Sequence, residues 1–209
     1  MVRDGYFYGL GLAAVAVLLW YVTQAWWAAI PALLLAVFFL WFFRDPEREI
    51  PQGEGVMVSP ADGVVSSVDW IQTVAGPRAR VSIFMNVFNV HVNRSPIAGE
   101  VMSVVHRPGK FLNAMNPDSV QYNEQNMIVI AGDGCEISMK QIAGLLARRI
   151  VCNLRVGDKL RRGERIGMIK FGSRVDVLLP GEIALKVKAG DKVQGGSSVL
   201  AVMTGRANG

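Results

Sequence analysis

Val156-Gly-Asp-Lys-Leu-Arg-Arg-Gly163 returns 33 residues later as Ala189-Gly-Asp-Lys-Val-Gln-Gly-Gly196. Each copy is followed by apolar, strand-like sequence, at residues 166–169 and 199–203. A Gly-Asp turn feeding a strand, closed by a second Gly turn, is the local chemistry of a compact hairpin stack. The repeat therefore predicts a β core and says nothing yet about function.

On both sides of it the chain consists of short stretches broken by Gly, Pro, Asn and Asp. Residues 63–70, 79–85, 100–106, 126–131 and 183–187 are the clearest strands. Residues 137–150 have an apolar spacing that would also suit a helix; they read here as mostly strand. The expected fold is mainly β, a barrel-sandwich-like soluble domain over residues 53–209, similar in its paired turns to lipoyl and biotinyl domains.

The N-terminal part is different in kind. Hydrophobic residues make up 51% of the chain, and four of the five Trp precede Phe42. Residues 6–22 and 26–43 are two apolar runs, each slightly short of the roughly 20 residues that cross a bilayer untilted. Tyr6, Tyr8, Trp20, Tyr21, Trp26, Trp27 and Trp41 gather toward the run ends, as interfacial aromatics do. The expectation is a membrane-anchoring helical hairpin over residues 1–44. Two spans fit the pattern, and so does a shallow hairpin in one leaflet started or kinked by Pro31. Arg3, Arg44 and Arg48 flank the hairpin on one side, which places the soluble domain on the cytoplasmic face of the cell membrane. Residues 45–52, charged and holding Pro46 and Pro51, read as a linker.

The net charge is +5, but the basic residues after Phe43 are scattered singly. A duplex-binding face needs concentrated charge, so a nucleic-acid partner finds no support. Anionic membrane lipids suit the same charge better. Cys135 and Cys152 have neither CxxC spacing nor a neighbouring His and read as reduced core thiols. No metal site is expected: His91 and His106 lack zinc-site spacing and a third ligand.

Three motifs remain. They are Ser59-Pro-Ala-Asp-Gly63, Phe88-Asn-Val-His-Val-Asn-Arg-Ser-Pro96 and Lys170-Phe-Gly-Ser-Arg-Val-Asp176. A Gly-Ser pair between strands is ordinarily a turn and nothing more. In this order, however, the three together resemble the short form of the phosphatidylserine decarboxylase family, from about residue 45 to the C-terminus.

The resemblance implies a proenzyme that cuts itself between Gly172 and Ser173. Residues 1–172 would form the β chain and 173–209 the α chain, a heterodimer with room for a higher oligomer. Ser173 Oγ would attack the Gly172 carbonyl, converting amide to ester. Loss of the Ser173 Cα proton and β-elimination would then leave a covalent pyruvoyl group at residue 173. That cofactor takes up the amine of phosphatidylserine as a Schiff base and accepts the electrons released with carbon dioxide, giving phosphatidylethanolamine for phospholipid biosynthesis. The resemblance makes Ser173, His91 and Asp62 catalytic. His91 has a suitable pKa for proton transfer near neutrality, and a carboxylate such as Asp62 can orient an imidazole. Long forms of the family carry His-x-x-His; here Arg94 stands where the second His would fall. Arg94, Lys110 and Arg174 are the candidates for the lipid phosphate or carboxylate, against a default of solvated surface. The competing reading is a non-enzymatic, membrane-tethered, lipoyl-like adaptor, which would leave the first two motifs unexplained.

Overall fold

The computed structural model describes residues 2–74, 76–112, 119–132, 134–145, 149–170 and 172–204. The chain divides into two units, Met1–Glu47 and Arg48–Gly209.

The first unit is a helical hairpin. Helix α1 (Arg3–Thr23) is long and apolar enough to cross a membrane, by length and composition. It ends where Gln24 turns left-handed and its N–H returns to the Trp20 carbonyl at 2.9 Å. A 3-10 turn (Trp26–Ala29) leads into α2 (Ile30–Phe42). Pro31 lies in the first turn of α2, where its missing N–H breaks no bond, so it starts the helix. The helices meet through Ala16, Ala29 and Ala32, and Tyr8 lies 5.4 Å from Phe39 and 5.8 Å from Phe43 between ring centres. The Val2 N–H donates to the Phe43 carbonyl at 3.1 Å, so both ends of the hairpin lie together.

The second unit is mainly β, as the turn repeat predicts. In chain order its strands are β1 (Val56–Val58), β2 (Gly63–Thr73), β3 (Gly76–Met85), β4 (Val92–Arg94) and β5 (Gly99–Arg107); a helical turn (Ser119–Tyr122) follows. Then come β6 (Gln125–Gly132), β7 (Cys135–Ala143), β8 (Ile150–Cys152), β9 (Lys159–Leu160) and β10 (Arg165–Ile169). The last four are β11 (Ser173–Leu179), β12 (Ile183–Leu185), β13 (Lys192–Val193) and β14 (Val199–Met203). The ambiguous stretch after residue 137 is strand through Ala143; its residues 146–148 lie outside the described residues. The stretch read as a linker is shared between the units, because Arg48 and Ile50 pack into the β unit.

One large sheet runs β13-β2-β3-β11-β7-β6-β5-β9, and two small sheets run β1-β14-β12 and β4-β10-β8. Read from either end, the large sheet has the same plan, with the two Gly-Asp-Lys turns supplying its outer strands, β13 and β9. The equivalence reaches individual bonds. The Val65 N–H donates to the Asp191 carbonyl and the Val101 N–H to that of Asp158, each at 2.9 Å. Where the two halves meet, Val58 N–H donates to Pro96 at 3.0 Å and Arg94 N–H to Pro60 at 2.9 Å. The visible repeat is thus the edge of a larger twofold plan.

β11 is central, paired with β3 and β7. Its side chains alternate: Ser173, Val175, Val177 and Leu179 face the core with Met85, Ile83, Met139 and Ile137, while Arg174 and Asp176 face the other way. Burying each of these aliphatic side chains contributes about 1.5–3 kcal/mol.

Candidate active site

Ser173 opens β11, directly between Met85 of β3 and Ala143 of β7. It is fully buried, and its Oγ has no hydrogen-bond partner among the described residues. A hydroxyl kept from water without a partner costs about 1–3 kcal/mol, a cost that points to chemistry more than to packing. Gly172 holds φ +51, in the left-handed region where a side chain is disfavoured, and a Cβ there would meet nothing within 4 Å. The scissile bond of the resemblance therefore sits at a sharp, uncrowded turn into the middle of the sheet. Phe171, the other residue of that motif, lies outside the described residues.

His91 immediately precedes β4 and is fully buried. Its carbonyl accepts from the Ile169 N–H at 3.3 Å, which fixes its backbone beside the end of β10, four residues before Ser173. Asn93 lies two residues further on, the spacing that returns an extended chain to one face. His106, by contrast, is exposed and paired with Glu124 at 3.0 Å, on β5.

Asp62 has two defined partners. Arg48 reaches both of its oxygens, at 3.0 and 2.8 Å, and the Gly195 N–H donates to Oδ1 at 2.8 Å. Both side chains of the ion pair are largely buried. This clamp ties the Pro-Ala-Asp-Gly turn to the segment entering the β unit and to the second repeat turn. Sequence reasoning missed Arg48, which reads as one more charge in a linker.

The basic candidates are dispersed. Arg94 is buried, contrary to a solvated role, and its Nη1 donates to the Gly163 carbonyl at 3.1 Å. Arg174 follows Ser173 in sequence but faces away from it. Its Nε and Nη2 hold Asp176 at 2.6 and 3.2 Å, and Nη2 also reaches Ser82 Oγ at 2.8 Å. Further along that outer face, the Arg80 hydrogen bond and then that of Ser67 hold the Asp69 carboxyl below the usual carboxylate range. Lys110 is exposed, with its ammonium 5.5 Å from the Tyr122 ring centre.

A chain of amides also went unread. Asn126 Nδ2 donates to Gln141 Oε1 at 2.9 Å, and Gln141 Nε2 donates to Asn93 Oδ1 at 2.8 Å. Asn93 Nδ2 ends against Met85 Sδ at 3.9 Å. All three amides are buried. The available signal was Gln141, a polar residue at an inward position of a strand that otherwise alternates Ile137, Met139, Ala143.

A sequence profile for phosphatidylserine decarboxylase matches residues 35–201. The chain is 50% identical over 205 residues to a phosphatidylserine decarboxylase proenzyme of Solibacter usitatus, covering 96% of each chain. It is 50% identical over 195 residues to a protein of the same name from Oleidesulfovibrio alaskensis, covering 92% of this chain and 89% of that one. A third, from Cupriavidus metallidurans, is 44% identical over 209 residues, 98% and 96% of the two chains. This chain belongs to the phosphatidylserine decarboxylase family. Membership leaves the adaptor reading without support.

Proposed function

We propose that this protein is the proenzyme of a pyruvoyl-dependent carboxy-lyase that converts phosphatidylserine to phosphatidylethanolamine. The observation that carries the reading is Ser173: a buried hydroxyl without a hydrogen-bond partner among the described residues, one residue after a left-handed glycine, in a chain of this family. Ser173 Oγ adds to the Gly172 carbonyl carbon. The hydroxyl proton passes to a base, for which buried His91 is the candidate, and the Gly172–Ser173 amide becomes an ester. The Ser173 Cα proton is then removed, the Cβ–Oγ bond breaks, and Gly172 departs as a carboxylate. The residue left at 173 hydrolyses to the pyruvoyl group with release of ammonia. That group would supply an electron sink for decarboxylation on the buried inner face of β11. Asp62 serves the processing step, anchored by Arg48. Lys110, exposed, is the best placed of the three basic candidates to meet a lipid headgroup; Arg94 and Arg174 are engaged elsewhere.

The cut would leave residues 1–172 and 173–209 joined, because β11 stays paired on both edges and β13 and β14 stay paired with β2 and β1. The hairpin of residues 1–44 anchors the enzyme to the cell membrane, with residues 53–209 on the cytoplasmic side, where anionic lipids meet its positive charge. Incubation with phosphatidylserine vesicles is the direct test. Wild type should release carbon dioxide and form phosphatidylethanolamine, and Ser173→Ala should do neither; activity in that variant would refute the mechanism.

A further inference from the structure

The amide chain has a fixed polarity. A thioether has no proton to donate, so Asn93 must turn its NH2, not its carbonyl, toward Met85 Sδ. Asn93 Oδ1 then faces Gln141 Nε2, and Gln141 Oε1 faces Asn126 Nδ2, as the 2.8 and 2.9 Å contacts record. One amide end therefore sets the next, and the last NH2 is spent on a sulfur, a weak acceptor at 3.9 Å.

The position of that NH2 follows from the sheet. Met85 belongs to β3 and Gln141 to β7, the two neighbours of β11. Met85 is the register partner of Ser173, and Gln141 that of Val175, two residues on along the same face. A side chain that touches both must lie across the inner face of β11 at its first turn of residues. Asn93 thus brings an under-used buried donor to the strand end where Ser173 Oγ lacks a partner among the described residues.

We propose that Asn93 Nδ2–H serves the oxygen of residue 173 during self-processing, and that Gln141 and Asn126 are positioning residues that hold this donor in its orientation. The proposal rests on the processing reaction above and assigns its second step. Once the ester has formed, Oγ bridges Cβ of residue 173 and the Gly172 acyl carbon. A base takes the Cα proton, the Cα–H pair forms the Cα=Cβ bond, and the Cβ–Oγ pair leaves on Oγ. Oγ thereby becomes one of the two oxygens of the Gly172 carboxylate. A donor held at that strand end stabilises the developing charge on a buried oxygen, where it counts most.

The test uses full-length protein in membranes or detergent. Asn93→Asp keeps the acceptor for Gln141 and the shape, and loses the donor. Its splitting should slow by about a hundredfold or more, the range for loss of one oxyanion donor, and the uncut chain should accumulate as ester. Hydroxylamine should then split it, giving a Gly172 hydroxamate and a fragment that begins with ordinary serine. Gln141→Leu, which frees Asn93 to flip, should slow splitting less and be trapped the same way. Thermal unfolding in a Ser173→Ala background shows whether each variant folds, since that background stays uncut. Splitting of a folded Asn93→Asp at the wild-type rate overturns the proposal, and so does a slow variant that hydroxylamine leaves intact, because the ester then never formed. Asn93→Leu, which cannot carry a buried charge, must reproduce the Asp result for the proposal to stand. Wild-type protein that never splits would instead defeat the processing reaction itself.

Discussion

The two halves of the β unit share a plan and differ in what they place on it. In one, Gly55 precedes β1 and Met57 and Val58 lie on it, paired with β14; in the other, His91 precedes β4 and Asn93 and Arg94 lie on it, paired with β10. The backbone treats them alike. The Gly55 carbonyl accepts from Met203 at 3.0 Å and the His91 carbonyl from Ile169 at 3.3 Å; Ser59 Oγ donates to Ala61 and Ser95 Oγ to Ile97, each at 2.7 Å. One half fills its interior with Met57 and Val58, and the other fills the same positions with an amide and a guanidinium. Only the second half is followed by the Gly172–Ser173 bond. The backbone plan is shared, and the buried amide and guanidinium are found in one half of it.

The strongest way to break that comparison is to make the second half resemble the first. His91→Gly copies Gly55 and should cut splitting and decarboxylation by about a hundredfold or more, read on a denaturing gel and by carbon dioxide release. Unchanged splitting would remove His91 from the mechanism.

Asp62 sharpens it next. Arg48→Ala strands a largely buried carboxylate and should cost about 3–5 kcal/mol, measured by urea unfolding of the uncut Ser173→Ala protein. Asp62→Asn, compared at matched stability, should slow splitting further than Arg48→Ala if Asp62 also serves proton transfer. Equal rates would leave it a clamp alone.

A smaller effect tests the symmetry itself. Gly157 and Gly190 hold φ +91 and +94, and a Cβ at either would meet nothing within 4 Å. Gly157→Ala and Gly190→Ala should each cost about 1–2 kcal/mol of backbone strain and agree with one another; a large disparity would mean the two turns are not equivalent.

The least effect lies on the outer face. The folded state holds the Asp69 pKa below its ordinary value, so its contribution to stability is present above the unfolded pKa and is lost as pH falls through the folded one. Asp69→Asn should flatten the acid limb of the stability curve by at most about 1 kcal/mol, since the pair is part exposed. A steeper limb would contradict that sign.

The turn repeat, the hairpin and most strands were legible because each rests on local chemistry: Gly-Asp turns, alternation and apolar runs. The wider twofold plan was harder to see: Ser59-Pro60 and Gly63 match Ser95-Pro96 and Gly99, but the residues before them differ, Met57 and Val58 against Asn93 and Arg94. The plan is carried by backbone bonds such as those of Val58 and Arg94 to the opposite Pro carbonyls. At the site, Gly172, Ser173 and His91 stood out by motif. The Arg48 clamp lay in a stretch whose two prolines read as linker. Arg174 illustrates the reverse case: nearness in sequence suggested a shared site, yet a period of two sends neighbours on a strand to opposite faces.

Intact-mass analysis of the purified wild-type protein tests the central claim most directly. Two polypeptides should appear, divided between residues 172 and 173, the smaller beginning with a keto acid and the pair remaining together until denatured. One continuous chain carrying an unmodified serine at 173 would contradict the account.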